Sequence, residues 1–95
     1  MAAAALALPL LDIMESKHFV YILRCADDTY YTGWTTDPER RLRVHNSGKG
    51  AKYTRSRIPA VIVHLEVFDN KADALRRERA IKRLTRAEKE KLIKE

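Results

Sequence analysis

The run His18-Phe19-Val20-Tyr21-Ile22-Leu23, then Ala26-Asp27-Asp28, then Thr29-Tyr30-Tyr31-Thr32-Gly33-Trp34-Thr35, decides how this chain folds. Its two flanks are rich in β-branched and aromatic residues and its middle holds turn formers, so it reads as a β-hairpin. Side chains alternate across a strand, which puts Phe19, Tyr21 and Leu23 on one face of the first strand. On the second, Tyr31 and Gly33 share a face opposite to Tyr30, Thr32 and Trp34, so Tyr21 and Tyr31 can meet across the hairpin.

Beyond the hairpin, Asp37-Pro38 predicts a helix start. Asp as N-cap accepts an orphan amide hydrogen bond, and Pro at the first helical position loses nothing by lacking its own. This helix is expected to reach about Asn46 or Ser47. Gly48-Lys49-Gly50-Ala51-Lys52-Tyr53-Thr54-Arg55-Ser56-Arg57 has two glycines and no apolar period, which makes it a basic loop closed by Pro59. Val61, Val63, Leu65 and Val67 alternate with Ile62, His64, Glu66 and Phe68, a third strand with one strongly apolar face. After Asp69-Asn70 a helix is expected from Lys71 to about Leu84 and a shorter one from Arg86. The order is β-β-α-β-α-α. Residues 1–16 read as a flexible N-terminal extension to a single domain over 17–95; Met1 to Ile13 is Ala/Leu-rich with Pro9 inside it, lacks a basic leader and is too short to cross a bilayer.

With 95 residues the chain supports one modest core, so binding and catalysis would share one surface. The single cysteine, Cys25, excludes an intrachain disulfide and a cysteine zinc cluster, fits a reducing cytoplasmic setting, and leaves any metal to oxygen or histidine donors. The net charge of +6 is unevenly spread: residues 38–58 carry seven basic groups against one acidic, and residues 71–95 carry ten against five. Two such blocks suit a phosphate-binding surface, although solvated helix faces would give the same composition. No membrane partner and no small-molecule cofactor is expected, and oligomeric state is open.

At about 100° per residue, the first helix places Arg41 and His45 between Leu42 and Val44 on its inward stripe. The second places Glu78 between the pair Ala74/Ile81 and Leu75. Charged groups turned inward need a partner, because desolvating an unpaired charge costs several kcal/mol. Pattern alone leaves two arrangements open: a buried Arg41–Glu78 ion pair with His45 satisfied in the core, or a functional cluster.

Taken in order, Val20-Tyr21-Ile22, Tyr31-Thr32-Gly33-Trp34-Thr35, Arg41-Leu42 with His45-Asn46, and Glu78 in a helix resemble the GIY-YIG nuclease family across roughly Phe19 to Leu84. The small bacterial stand-alone branch is the nearest in pattern, since Gly48-Lys49-Gly50-Ala51-Lys52-Tyr53-Thr54 and the later Ile81 and Lys82 also recur there. Departures exist. The naming tripeptides are Phe19-Val20-Tyr21 and Tyr31-Thr32-Gly33 here, Trp34 stands where the excision-repair branch has lysine, and the late asparagine of some restriction and homing members has no counterpart.

The resemblance implies a small three-stranded antiparallel sheet flanked by helices, an α+β fold, with Tyr21, Tyr31, Arg41, His45 and Glu78 gathered at one catalytic site. It implies a metal-dependent endonuclease acting on DNA rather than RNA, in repair or recombination. Glu78 would hold one magnesium or manganese ion, a hard cation that keeps waters when few protein ligands are offered. Tyr21 would take a proton from water with help from His45, Tyr31 would orient the water or phosphate, and Arg41 would brace the transition state. The products would carry 5′-phosphate and 3′-hydroxyl ends. Lys52, Arg55 and Arg57 could follow the phosphate backbone, with Tyr53 stacking on a base. The competing expectation is an inactive nucleic-acid-binding module or an adaptor.

Overall fold

The computed structural model describes residues 17–95, so the extension expected over residues 1–16 lies outside the described residues. Strands β1 (His18–Arg24) and β2 (Tyr30–Thr35) form the hairpin. Its turn is held by Asp27, whose carboxylate accepts from the Thr29 amide at 3.2 Å and hydroxyl at 2.6 Å, while Asp28 takes a φ of 68°. Helix α1 (Pro38–Asn46) starts as its sequence dictates, with the Asp37 side chain accepting from the Arg40 amide at 3.2 Å. Strand β3 (Val61–Phe68) pairs with the free edge of β1, giving a three-stranded antiparallel sheet in the order β2-β1-β3.

Helix α2 (Lys71–Lys82) stops short of Leu84 in a tight turn. Helix α3 (Arg86–Lys94) then begins on a capping box between Thr85 and Glu88. The fold is the one the resemblance implies, in the order β-β-α-β-α-α.

Both faces of the sheet carry a core cluster. Val20 and Ile22 are fully buried against Ala74 and Ile81 of α2, with Tyr30, Trp34, Phe68 and Leu92 around them. At roughly 1.5–3 kcal/mol for each large aliphatic side chain taken from water, this packing anchors α2 to the sheet. On the opposite face Tyr21, Leu23 and Ala60 pack with Tyr31, Leu42 and Ile62. The polar cluster is built into that second face.

Strand β3 differs from the single apolar face expected of it. A register shift opposite Ile22 and Leu23 sets Ile62 against Leu23 but His64 against Ile22, leaving Val63 as an extra residue between them. The alternation therefore changes sides: Val63 packs with Val20 and Ile22, while Leu65 and Val67 fall opposite Tyr21 and Phe19 and stay 45% and 58% exposed.

Glu66, beyond the bulge, accepts from Arg77 Nε at 2.8 Å and Nη2 at 3.0 Å, and lies 2.6 Å from His64 Nε2. Burial works to raise the Glu66 carboxyl, and the hydrogen bonds from Arg77 and His64 overcome it, leaving the group below its ordinary value of 4.5. A carboxyl lowered on folding holds its proton more tightly when unfolded, so its stabilisation is complete above that value and fades as the pH falls below it. Glu66→Gln is expected to cost about 2 kcal/mol at neutral pH, with the gap from wild type closing in acid. Urea unfolding of both proteins at neutral and acid pH checks this; a gap that persists in acid rules out the ion pair as its cause.

Candidate active site

Register brings the tyrosines together, pairing Tyr21 with Gly33 and Leu23 with Tyr31. The Tyr21 ring lies across Gly33 so closely that a Cβ there would stand 2.4 Å from the phenol oxygen. Only glycine leaves that space. The phenol, 2% exposed, ends 2.9 Å from His45 Nε2 in a buried hydrogen bond.

His45 reaches the site from the last turn of α1 and is wholly buried. Its Nδ1 lies 2.8 Å from Thr54 Oγ1, and Gly50 backs the ring so tightly that a Cβ would stand 2.5 Å from Nδ1. The Tyr31 ring meets His45 edge-on at a centroid distance of 5.3 Å and lies 6.4 Å from the Tyr21 ring. Asn46, the next residue, donates to the Ala60 carbonyl at 3.0 Å and accepts from its amide at 2.7 Å, tying the end of α1 to the start of β3.

Arg41 stands one helical turn before His45 and acts on the whole group. Burial raises the Tyr21 phenol above 10.0; Arg41 opposes that, while Tyr31 and Glu78 reinforce it. Burial likewise raises Tyr31, with Arg41 opposing and Glu78 reinforcing. Burial lowers His45 below 6.5, and the Arg41 charge pushes the same way, so the imidazole is neutral at physiological pH.

Glu78 comes from α2, its side chain 13% exposed, with a Lys82 ammonium at 3.7 Å, longer than a hydrogen bond. Among the described residues Arg41 and Glu78 form no ion pair, so the simple core pairing left open by the helical pattern is not what holds these charges. Two hollows flank the cluster. One of about 240 Å³ is lined by Thr35, Asp37, Arg40 and Arg41, and one of about 210 Å³ by Tyr31, Thr32, Tyr53, Lys82 and Lys89. No group of three His, Cys, Asp or Glu side chains suited to a metal occurs among the described residues. A largely buried carboxylate whose cationic neighbour, Lys82, stands beyond hydrogen-bond distance fits a hard ion that keeps most of its waters.

The loop residues are placed differently from one another. The Tyr53 ring is stacked on Tyr31 at 6.1 Å with the Arg57 guanidinium 4.0 Å over it, so a base stacking there would have to displace one of them. Arg57 is also spent on Asp27 at 3.0 Å and on the Tyr53 carbonyl at 2.7 Å. Arg55 donates to the Gly50 carbonyl at 3.3 Å, and Lys52 is exposed. Sequence reasoning missed the contacts of Gly50 and Thr54 with His45. The only signal for them was their presence in the Gly48–Thr54 run, to which no role attached.

A buried phenol–imidazole pair beside a guanidinium and a carboxylate on a β-β-α-β-α-α scaffold defines a GIY-YIG-type catalytic domain. The sequence profile of the GIY-YIG catalytic domain matches residues 17–91, and the chain belongs to that family. Its relatives are small stand-alone members. A UPF0213 protein of Natronomonas pharaonis is 55% identical over 80 residues, 84% of this chain and 94% of that one. One from Syntrophus aciditrophicus is 58% identical over 81 residues, 84% and 93% of the two chains. The solution NMR structure of a UPF0213 protein from Bacillus halodurans superposes with a TM-score of 0.55 at 50% identity, covering 82% of this chain and 83% of that one. That of a protein from E. faecalis gives 0.57 at 48%, with the same coverage. GIY-YIG is a nuclease domain family whose members generally use divalent metal ions, which implies a nucleic-acid substrate.

Proposed function

We propose that this protein is a divalent-metal-dependent endonuclease that hydrolyses phosphodiester bonds in DNA during repair or recombination, leaving 5′-phosphate and 3′-hydroxyl ends. The observation that carries the reading is the buried 2.9 Å contact between Tyr21 and a neutral His45, set beside Arg41 and Glu78. Tyr21, raised above the usual phenol value by burial, is too weak an acid to ionise alone at neutral pH. It works as a base by passing its own proton to His45 Nε2 while accepting one from the attacking water. Tyr31 orients the water or the phosphate from the neighbouring strand. Arg41 stabilises the extra negative charge on the phosphoryl oxygens in the transition state. Glu78 would hold one magnesium or manganese ion, which when bound supplies charge stabilisation at the leaving 3′ oxygen.

The test is cleavage of end-labelled nicked, branched and single-stranded DNA by the purified chain with magnesium, with manganese or with EDTA. Metal-dependent cuts whose products are ligatable through their 5′-phosphates are expected. Wild-type protein that binds DNA but cuts nothing with either metal would reduce it to an inert binding module.

A further inference from the structure

The contacts behind His45 form a directed chain. Thr54 Oγ1 lies 2.8 Å from His45 Nδ1 and 3.0 Å from the Ala51 carbonyl oxygen. A hydroxyl has one proton, and a carbonyl can only accept. With that proton given to Ala51, the oxygen of Thr54 is left to accept, and the bond to the ring must come from Nδ1–H. The ring's other nitrogen, Nε2, is then a bare lone pair facing the Tyr21 phenol at 2.9 Å. The Tyr21 hydroxyl carries one proton and has its hydrogen-bond partner in that nitrogen, so the phenol donates to Nε2.

We propose that Thr54 is a positioning residue that locks His45 in the tautomer protonated on Nδ1, keeping Nε2 open to receive the Tyr21 proton. The inference rests on the nuclease reading for its consequence and on the hydrogen-bond chain for its content. Thr54 is completely buried and caps its own turn, its amide also donating to the Ala51 carbonyl at 3.0 Å. Gly50 leaves the ring the room it needs to reach the hydroxyl, since any side chain at that position would collide with Nδ1. Every element around the imidazole contributes: Tyr21 and Tyr31 from the sheet, Arg41 from its own helix, Gly50 and Thr54 from the loop.

In the step this serves, the water oxygen bonds to phosphorus as one water proton moves to the Tyr21 oxygen and the Tyr21 proton moves to Nε2. The P–O3′ bond breaks with its electron pair on the 3′ oxygen, which takes a proton from solvent. The imidazolium keeps its Nδ1–H on Thr54 throughout and later releases the Nε2 proton to solvent. With the other tautomer Nε2 would already carry a proton and could accept none.

Long-range proton–nitrogen NMR on nitrogen-15-labelled protein reads the tautomer directly. In wild type, His45 is expected with Nδ1 protonated and Nε2 bare. Thr54→Val, which keeps the branched shape but removes the acceptor, is expected to move the proton to Nε2 and to slow single-turnover cleavage about 10²-fold with unchanged DNA affinity. Thr54→Ser should restore both the tautomer and the rate. A wild-type ring protonated on Nε2 overturns the proposal without any variant, as does a Thr54→Val protein that keeps Nδ1–H and full rate. An inactive wild type whose Nδ1–H tautomer is lost in Thr54→Val supports the role of Thr54 and removes only the nuclease reading.

Discussion

Glu78→Ala is expected to slow single-turnover cleavage by about 10³-fold, because the proposed function gives this carboxylate the metal, and metal stabilisation of a leaving oxygen is worth several kcal/mol. The fold should survive the change. Glu78 makes no hydrogen-bonded ion pair, its cationic neighbour Lys82 standing 3.7 Å away, whereas the helix that carries it is anchored by Ala74 and Ile81. Urea unfolding should therefore differ from wild type by less than about 1 kcal/mol. DNA affinity in the absence of metal should hold or rise slightly, since a negative charge has left the surface proposed to meet phosphate. Cleavage that persists within a few-fold of wild type, in protein shown to be folded, would remove Glu78 from the reaction.

Tyr21→Phe is expected to cost roughly 10²- to 10⁴-fold in the same assay, the usual worth of a positioned proton-transfer group. Only the hydroxyl is deleted, so the ring still fills the space over Gly33 and the core with Leu23 and Ala60 is unchanged. The lost hydrogen bond to His45 should lower stability by about 1 kcal/mol. A small loss in rate with a large loss in stability would instead make the phenol a structural bridge. Tyr31→Phe separates the two tyrosines: its ring still packs on His45 and Tyr53, and the hydroxyl it loses is proposed to orient the water or phosphate and not to transfer a proton, so its deletion should cost less.

Much of this arrangement is legible in the linear order because it depends on short-range geometry. Alternation allows Tyr21 and Tyr31 to meet on one face, and the register delivers it by pairing Tyr21 with Gly33. The cap at Asp37-Pro38 fixes where α1 begins and hence which of its residues turn inward. What escapes the sequence depends on distance or on an irregularity. Helical periodicity gives the direction of Arg41 and Glu78 but not their separation, so it could not decide between an ion pair and two charges sharing a site. A period of two has no means of showing an inserted residue, and the bulge at Val63 therefore reversed the expected facing of Leu65 and Val67. The loop after α1 has no period at all. The contacts of Thr54, Gly50, Tyr53 and Arg57 arise only when the chain returns on the sheet.

The two close approaches, Tyr21 over Gly33 and His45 against Gly50, also shape what random mutation can reach. At either glycine every single amino-acid replacement collides with a ring of the Tyr21–His45 pair, and at either ring a change that would make room also discards the hydrogen bond between them. Neighbouring sequence can drift while these four positions are held jointly, and an altered version of this site is reached only by changing at least two of them together.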